Sequence, residues 1–360
     1  MEGVTPPSEE LAMSIVTLHL PEVKEKTESR PSRCPYCRGE IFQRWGGSER
    51  EVRDPQVHRV RVYRYRCNRC RRSFRHNPQG IDRAQQTQRM KALVAISWLL
   101  GLSYRGLSGL LAAFGITISR MTGWRDVQER AKQLRAHWKG KKVRVIGVDG
   151  AYVRGMGKIQ PVLVVIDLGS GKPITIGYVD EKDPQAVKRF LEPLVKQLGV
   201  SVMVTDDLFS YKQVADRLGL EHQFCQFHVR RWVVRALYEL QQSLPAEWLW
   251  MVGEVRQIIA DLPSEGDKRL LALYRQLPPS QKGRPGGEYT PLEQLRSVMI
   301  RLEENWARFR VFDYQKDVPW TNNPTEQGIG RMKMRARTVR GYKNRPGMLN
   351  GLMVSGSGVN

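Results

Sequence analysis

Long hydrophobic runs are missing from this 360-residue chain: nowhere do about 18 apolar side chains follow one another, which excludes a single-pass membrane helix. The first residues also lack the basic start, apolar segment and small-residue cleavage site of a signal peptide, so a cytoplasmic protein with no membrane partner is expected. Acidic residues are scarce, 36 Asp and Glu against 59 Lys and Arg, leaving a net charge of +23. Such an imbalance implies a polyanionic partner, and with membranes set aside that partner is nucleic acid. Cysteine is scarce too, with five residues, four of them in two tight pairs. That usage speaks against a disulfide framework and suits metal ligation in a reducing compartment. The length exceeds one typical domain, so two or three are expected.

The two pairs are Cys34-Pro-Tyr-Cys37 and Cys67-Asn-Arg-Cys70, separated by 29 residues. Four thiolates at this spacing predict a tetrahedral structural Zn²⁺ site in a ribbon over 31–78, with the alternating segment 57–65 as one of its strands. Between 33 and 75 there are 13 Arg and four acidic residues, so the ribbon is expected to be a nucleic-acid surface; a solvated charged face is the plainer reading. Residues 1–30 carry no motif and read as a tail.

Residues 81–138 read as helical, with the pieces of a helix-turn-helix. Ser103 caps a helix whose Leu107, Leu110 and Leu111 face inward, and Gly115 ends it. Thr117 or Ser119 then opens a second helix carrying Arg120, Arg125 and Arg130 outward. In such a unit the second helix enters the major groove of double-stranded DNA, which makes Arg120 and Arg125 candidate DNA-binding residues. A plain three-helix connector is the alternative.

From 141 the periodicity becomes strand-like. Strands are predicted at 143–153, 161–168 and 173–179, a helix at 184–198, a strand at 200–205, a helix through Tyr211 and Val214 to Leu218, and a short strand at 221–225. A meander followed by crossovers predicts a mixed-sheet α/β domain over 141–345. Apolar stripes including Trp232, Leu237, Trp250, Ile258, Leu270, Leu295 and Leu302 predict an all-helical insertion at about 229–316, its aromatic residues serving as core. Residues 283–287 read as a mobile loop and 346–360 as a weakly apolar C-terminal tail.

The spacing of acids carries more than their number. Asp149 lies at the end of the first strand and Asp206 just after the fourth; parallel neighbouring strands would bring both to one edge of the sheet. Asp207 reads as the N-cap of the next helix, and Asp167, Asp180 and Asp183 as turn or cap residues. Further on, Asn323 reads as an N-cap with Pro324 in the first helical turn. Glu326 then shares the inward face with Ile329 and Met332. A basic stripe of Lys333, Arg337 and Arg340 follows, in a segment, 331–345, with seven Lys or Arg and no acid. Asp149, Asp206 and Glu326 together are the hard oxygen set that paired Mg²⁺ or Mn²⁺ ions need for in-line phosphoryl transfer beside a phosphate backbone. Each acid alone has a plainer reading, the aspartates as turn residues and Glu326 as part of a near capping box.

The order VIGVDGAYV, VTDDLFSY, TNNPTEQGIG resembles that of the DDE transposases of bacterial insertion sequences, in particular the Mutator-like group and its relatives with an N-terminal zinc ribbon. The resemblance covers about 33–345. It implies an RNase H-like catalytic domain with a helical insertion, and a two-metal site of Asp149, Asp206 and Glu326. Asp206 precedes Tyr211 as in a TDxxxxY pattern. Cys225-Gln-Phe-His228 matches the CxxH of many such enzymes and is carried over as a site-organising motif, two ligands being too few for zinc. Core packing is the plainer reading of that pair.

The function expected is a DNA transposase that binds element ends and catalyses strand cleavage and transfer into target DNA. One site acting at each of two ends implies a homo-oligomer. Two alternatives share parts of the evidence: a non-catalytic zinc-ribbon and helix-turn-helix regulator, and a metal-dependent nuclease without strand transfer.

Overall fold

The computed structural model describes residues 20–27, 29–280, 289–339 and 341–358. Two compact units divide the chain between Asp126 and Val127.

In the first unit β1 (Phe42–Glu51), β2 (Arg59–Cys67) and β3 (Ser73–His76) form an antiparallel sheet with β2 central. Burial along β2 changes phase midway. Val60 and Val62 face a core with Val23, Val52, Val57 and Ile81, while Tyr65 and Cys67 face another with Cys34 and Phe74. Strand alternation sends these two sets to opposite sides, and Arg59, Arg61 and Arg64 are left exposed. Val23 is buried here and Lys26 bridges to Arg61, so the tail read over 1–30 extends too far: its described portion belongs to the ribbon.

The helices α1 (Gln88–Leu99), α2 (Tyr104–Ala113) and α3 (Arg120–Ala136) follow. Ser103 caps α2 by accepting from Gly106 N, Gly115 takes a left-handed φ of 73°, and Ser119 accepts from Thr122 N at the start of α3. Leu107 and Leu111, four residues apart, point inward. Leu110 is 44% exposed instead, one position off that line. Arg120, Arg125 and Arg130 are exposed as expected.

The second unit is built on β4 (Val145–Gly155), β5 (Lys158–Asp167), β6 (Lys172–Gly177), α4 (Pro184–Leu198), β7 (Val202–Thr205), α5 (Phe209–Leu218) and β8 (Glu221–Phe224). The sheet order is β6-β5-β4-β7-β8, with β5 antiparallel to both neighbours and β4, β7 and β8 parallel. A three-strand meander continued by two parallel crossover strands is the RNase H-like mixed α/β arrangement expected. One face of the sheet is closed by α4 and α5 over Ile146, Val148 and Met203.

The insertion comprises α6 (Gln226–Gln241), α7 (Leu249–Asp261), α8 (Gly266–Gln276), α9 (Pro291–Glu304), α10 (Trp306–Phe309) and α11 (Val311–Tyr314). It has its own core, including Leu237, Ile258, Leu270, Leu295 and Leu302; Trp250, placed on that stripe by sequence, is 48% exposed. The loop read at 283–287 lies outside the described residues. Finally, α12 (Asn323–Thr338) and α13 (Arg345–Ser357) close the unit.

The C-terminal residues are not a tail. Asn344 accepts from Gly347 N at the start of α13, and Met348, Leu352 and Met353 are fully buried, packed with α12 and β6. A helix buried on most sides has no amphipathic period, so its sequence reads as featureless.

Candidate active site

Strand register brings the two aspartates together. Val145 pairs with Val202 and Gly147 with Val204 in the parallel β4–β7 ladder; two residues further along each chain stand Asp149 and Asp206. Side chains alternate along a strand, so both carboxylates fall on the face of Val145, Val202 and Val204, opposite the face closed by α4 and α5.

The start of α12 covers that face. Gly147 is why it fits: a Cβ there would lie 2.1 Å from Thr325 Oγ1 and 2.3 Å from Asn322 Oδ1. Asn322 donates from Nδ2 to Val148 O (3.2 Å) and from its backbone N to Cys225 Sγ (3.3 Å). The cap of α12 is therefore Asn322, one residue before the Asn323 expected, and its amide is spent on β4 and on the Thr325 hydroxyl rather than on the first backbone N–H groups of its helix. Glu326 forms no capping box. Its Oε1 is buried 3.6 Å from His228 Nδ1, likewise buried, and among the described residues neither atom has a hydrogen-bond partner.

Burial first, and then the charges of Asp206 and Glu181, raise Asp149 to about 7. Burial likewise leads for Asp206, followed by Glu181 and Asp207, and raises it to about 6. Glu181 is the acid that sequence reading passed over, between two aspartates that do serve as turn and cap residues. Its carboxylate lies against Gly150, where a Cβ would come within 2.0 Å of Oε2, and it accepts from Tyr211 Oη (2.9 Å). The buried Tyr211 phenol is held well above its ordinary pKa by burial and these carboxylates, and so remains a donor. The TDxxxxY spacing was the available signal: the Tyr one turn into α5 needed an acceptor.

Asp207 is not a helix cap. Its Oδ2 accepts from Arg301 Nη2 on α9, and the cap position of α5 is Leu208. Asp206 turns the other way and accepts from Leu208 N (3.3 Å). A cleft of ≈ 460 Å³ opens beside it, lined by Lys212, Arg301 and Asn305 among others.

Cys225 and His228 sit at the N-terminus of α6, three residues apart and on one face. Burial works to raise the Cys225 thiol, but the His228 side chain and the Asn322 N–H outweigh it and the pKa is lowered. Pairing with Cys225, opposed by burial, and then the charges of Glu326 and Asp206 raise His228 to about 9. Among the described residues two groups of Cys, His, Asp or Glu bring ligand atoms within 4.8 Å of one another: Cys34, Cys37, Cys67 and Cys70, and Cys225, His228 and Glu326. The first could hold zinc: its Sγ pairs at 3.7 and 3.6 Å approach the about 3.8 Å edge of a tetrahedron with Zn–S bonds of about 2.3 Å. Asp149, Asp206 and Glu326 are not drawn that close; Glu326 faces His228.

A cleft of ≈ 860 Å³ runs between β4 and α12, lined by Tyr152, Arg154, Lys333, Arg337, Tyr342 and Lys343 and by no acid. Lys333 and Arg337 are exposed, two and three turns beyond Glu326; Arg340 lies outside the described residues. The backbone of Gly155 bridges to Tyr342 at its far end.

The chain is similar to known proteins. The transposase for insertion sequence element IS257 in transposon Tn4003 of Staphylococcus aureus is 30% identical over 127 residues, 34% of this chain and 56% of that protein. The transposase for insertion sequence-like element IS431mec of S. aureus strain N315 matches to the same extent. This chain thus spans little more than half the length of these relatives. The catalytic core domain of BIV integrase is 15% identical, covering 45% of this chain and 97% of that one with a TM-score of 0.20, a likeness too slight to bear on function. The family match departs from the Mutator-like group that the motifs suggested. Residues 83–349, which include Asp149, Asp206, Cys225, His228 and Glu326, match the model of the transposase IS66 family, and the chain belongs to that family.

Proposed function

We propose that this chain is a DNA transposase that binds the ends of its element and catalyses metal-dependent cleavage and strand transfer through Asp149, Asp206 and Glu326. The observation that carries the reading is the pairing of two half-buried aspartates, both raised in pKa, on one face of adjacent parallel strands. With Glu181 beside them they form an acidic cluster with no basic side chain hydrogen-bonded to Asp149 or Asp206 among the described residues, a donor set suited to hard divalent cations. Asp149 and Asp206 would hold Mg²⁺ or Mn²⁺, and Glu326 would complete the set by leaving His228. When bound, a metal pair supplies activation of the attacking oxygen and stabilisation of the leaving one.

The protein's own part is placement. Tyr211 fixes Glu181 by donating to it, Asn322 and Thr325 lock the start of α12 onto β4, and His228 faces the Glu326 carboxylate. Arg154, Lys333, Arg337 and Lys343 offer cations to a phosphate backbone along the cleft. From Asp149 to Arg154 along β4, and from Glu326 to Arg337 along α12, is in each case about 16 Å, so a strand lying in the cleft would lead toward the acids. Cys34, Cys37, Cys67 and Cys70 would hold Zn²⁺ and fix the ribbon. The ribbon and Arg120 and Arg125 of α3 would bind double-stranded element ends. One site at each of two ends requires at least a dimer, and the chemistry belongs in the cytoplasm, where the DNA is.

A supercoiled donor plasmid carrying the element ends, incubated with the full chain and Mg²⁺ or Mn²⁺, should give cleaved ends and joined products. Normal end cleavage by Asp149→Asn refutes the site. Cleavage without joining makes the protein a nuclease, and end binding without either makes it a regulator.

A further inference from the structure

We propose that Cys225, His228 and Glu326 form a second transition-metal site, one that takes Zn²⁺ through a single thiolate and, when filled, withholds Glu326 from the aspartate pair. The cluster supplies one sulfur, one imidazole nitrogen and one carboxylate oxygen, all within 4.8 Å. Three such ligands with a fourth position open to water are a zinc-selecting set, softer than the all-oxygen set of the aspartates.

Three observations point to a cation rather than to packing. Glu326 Oε1 and His228 Nδ1 are both buried and, among the described residues, both without a hydrogen-bond partner. They lie 3.6 Å apart, beyond a good hydrogen bond but close to the about 3.3 Å edge of a tetrahedron with bonds of about 2.0 Å. Cys225, meanwhile, is fully buried at the N-terminus of α6 and accepts from the Asn322 N–H, a setting that favours the thiolate a metal needs. The CxxH spacing alone supplies two ligands. The third arrives from α12, 98 residues after His228 in the chain, through the contact of its N-terminus with β4.

The consequence for activity rests on the transposase reading. Glu326 cannot serve His228 and the aspartates at once, so a zinc ion here would act against Mg²⁺-dependent cleavage. Site and consequence are tested separately. Full-length protein, freed of metal and reduced, is titrated with Co²⁺ and followed by absorbance, then with Zn²⁺ and followed by metal analysis. The first equivalent should bring the strong thiolate charge-transfer band of the four-cysteine cluster. A second equivalent should add about a quarter of that intensity, one thiolate against four. Cys225→Ser should bind one equivalent and lose the second step while keeping the first. His228→Gln serves as the alternative should Cys225→Ser not fold; it should weaken the second step at least about tenfold and keep the first. A single equivalent in the native protein, or a second step unaltered by both variants, overturns the site. With the site present, cleavage in Mg²⁺ should fall as the second Zn²⁺ equivalent is added. Cleavage that is active in Mg²⁺ yet indifferent to that equivalent overturns the inhibitory role alone, whereas no cleavage under any condition counts against the transposase reading and leaves the metal titration standing.

Discussion

His228 Nδ1 stands 3.6 Å from Glu326 Oε1, and neither atom has a hydrogen-bond partner among the described residues. The third acid of the proposed site is thus held beside an imidazole raised to about 9 rather than beside the aspartates. Replacing His228 by Ala removes the group that holds Glu326 away from the aspartates. Cleavage should then need less Mg²⁺ for its half-maximal rate, while end binding stays within about twofold, and a raised Mg²⁺ requirement counts against this restraint. Equal losses in binding and cleavage would instead mark His228 as structural.

Asp206 and Asp207 are separated by their partners. Asp206→Asn should reduce cleavage by more than about 1,000-fold, as loss of a member of a catalytic unit does. Asp207→Asn breaks a part-exposed ion pair with Arg301, worth at most about 1 kcal/mol, so its effect should stay within about fivefold. Single-turnover cleavage rates for the two variants decide the assignment, and the reverse ranking defeats it.

The raised aspartates give the metal-free protein a characteristic pH dependence. With folded pKa values of about 7 and about 6 against an ordinary 3.8, the native state holds more protons than the unfolded state between about pH 4 and 7. Stability from this source is therefore present at low pH and lost as pH rises through that window. His228, raised from 6.5 to about 9, adds a further loss over that higher range. Without added divalent ions Tm should fall from pH 5 to pH 8, and Mg²⁺ at pH 8 should restore much of it. The double variant Asp149→Asn/Asp206→Asn should show a smaller fall and ignore Mg²⁺. A Mg²⁺ response that survives in the double variant places the ion elsewhere.

Lys333 and Arg337 line an acid-free cleft and are predicted to meet phosphates. Replacing both by Ala should lower the slope of log K against log salt by about 2, one for each phosphate left without its cation, with little change in the preference for element ends over random DNA. Fluorescence anisotropy over a salt series measures both quantities. An unchanged slope removes these residues from the DNA path.

Gly147 is predicted to tolerate no side chain. A Cβ there would stand 2.1 Å from Thr325 Oγ1 and meet Asn322 as well. Gly147→Ala should cost about 1–3 kcal/mol, the usual range for overpacking, and should impair cleavage beyond that loss by displacing α12. Denaturant melts alongside rates at a permissive temperature separate the two effects.

Much of this was legible along the chain because it depends on short-range chemistry. The four cysteines, the helix over 184–198 and the Ser103 and Ser119 caps are set by a few neighbouring residues each. Where a local rule failed, a partner from elsewhere had won. Asn323 looked like a cap, but the Asn322 amide is engaged by Val148 and Thr325; Asp207 looked like a cap, but Arg301 holds it; 346–360 looked like a tail, but its described part is a helix with a buried Met348, Leu352 and Met353.

The sequence by itself determined the basic charge, the thiol cluster, the element types and the order of the acids, since these follow from composition, periodicity and turn chemistry over a few residues. Only tertiary structure decided which acids meet. Parallel pairing of β4 with β7 put Asp149 beside Asp206, 57 residues away, and the packing of α12 on β4 turned Glu326 to His228 while the loop after β6 brought Glu181 to the aspartates. Those meetings depend on strand order and on the space left by Gly147 and Gly150, quantities fixed by the whole packed unit and carried by no single stretch of chain.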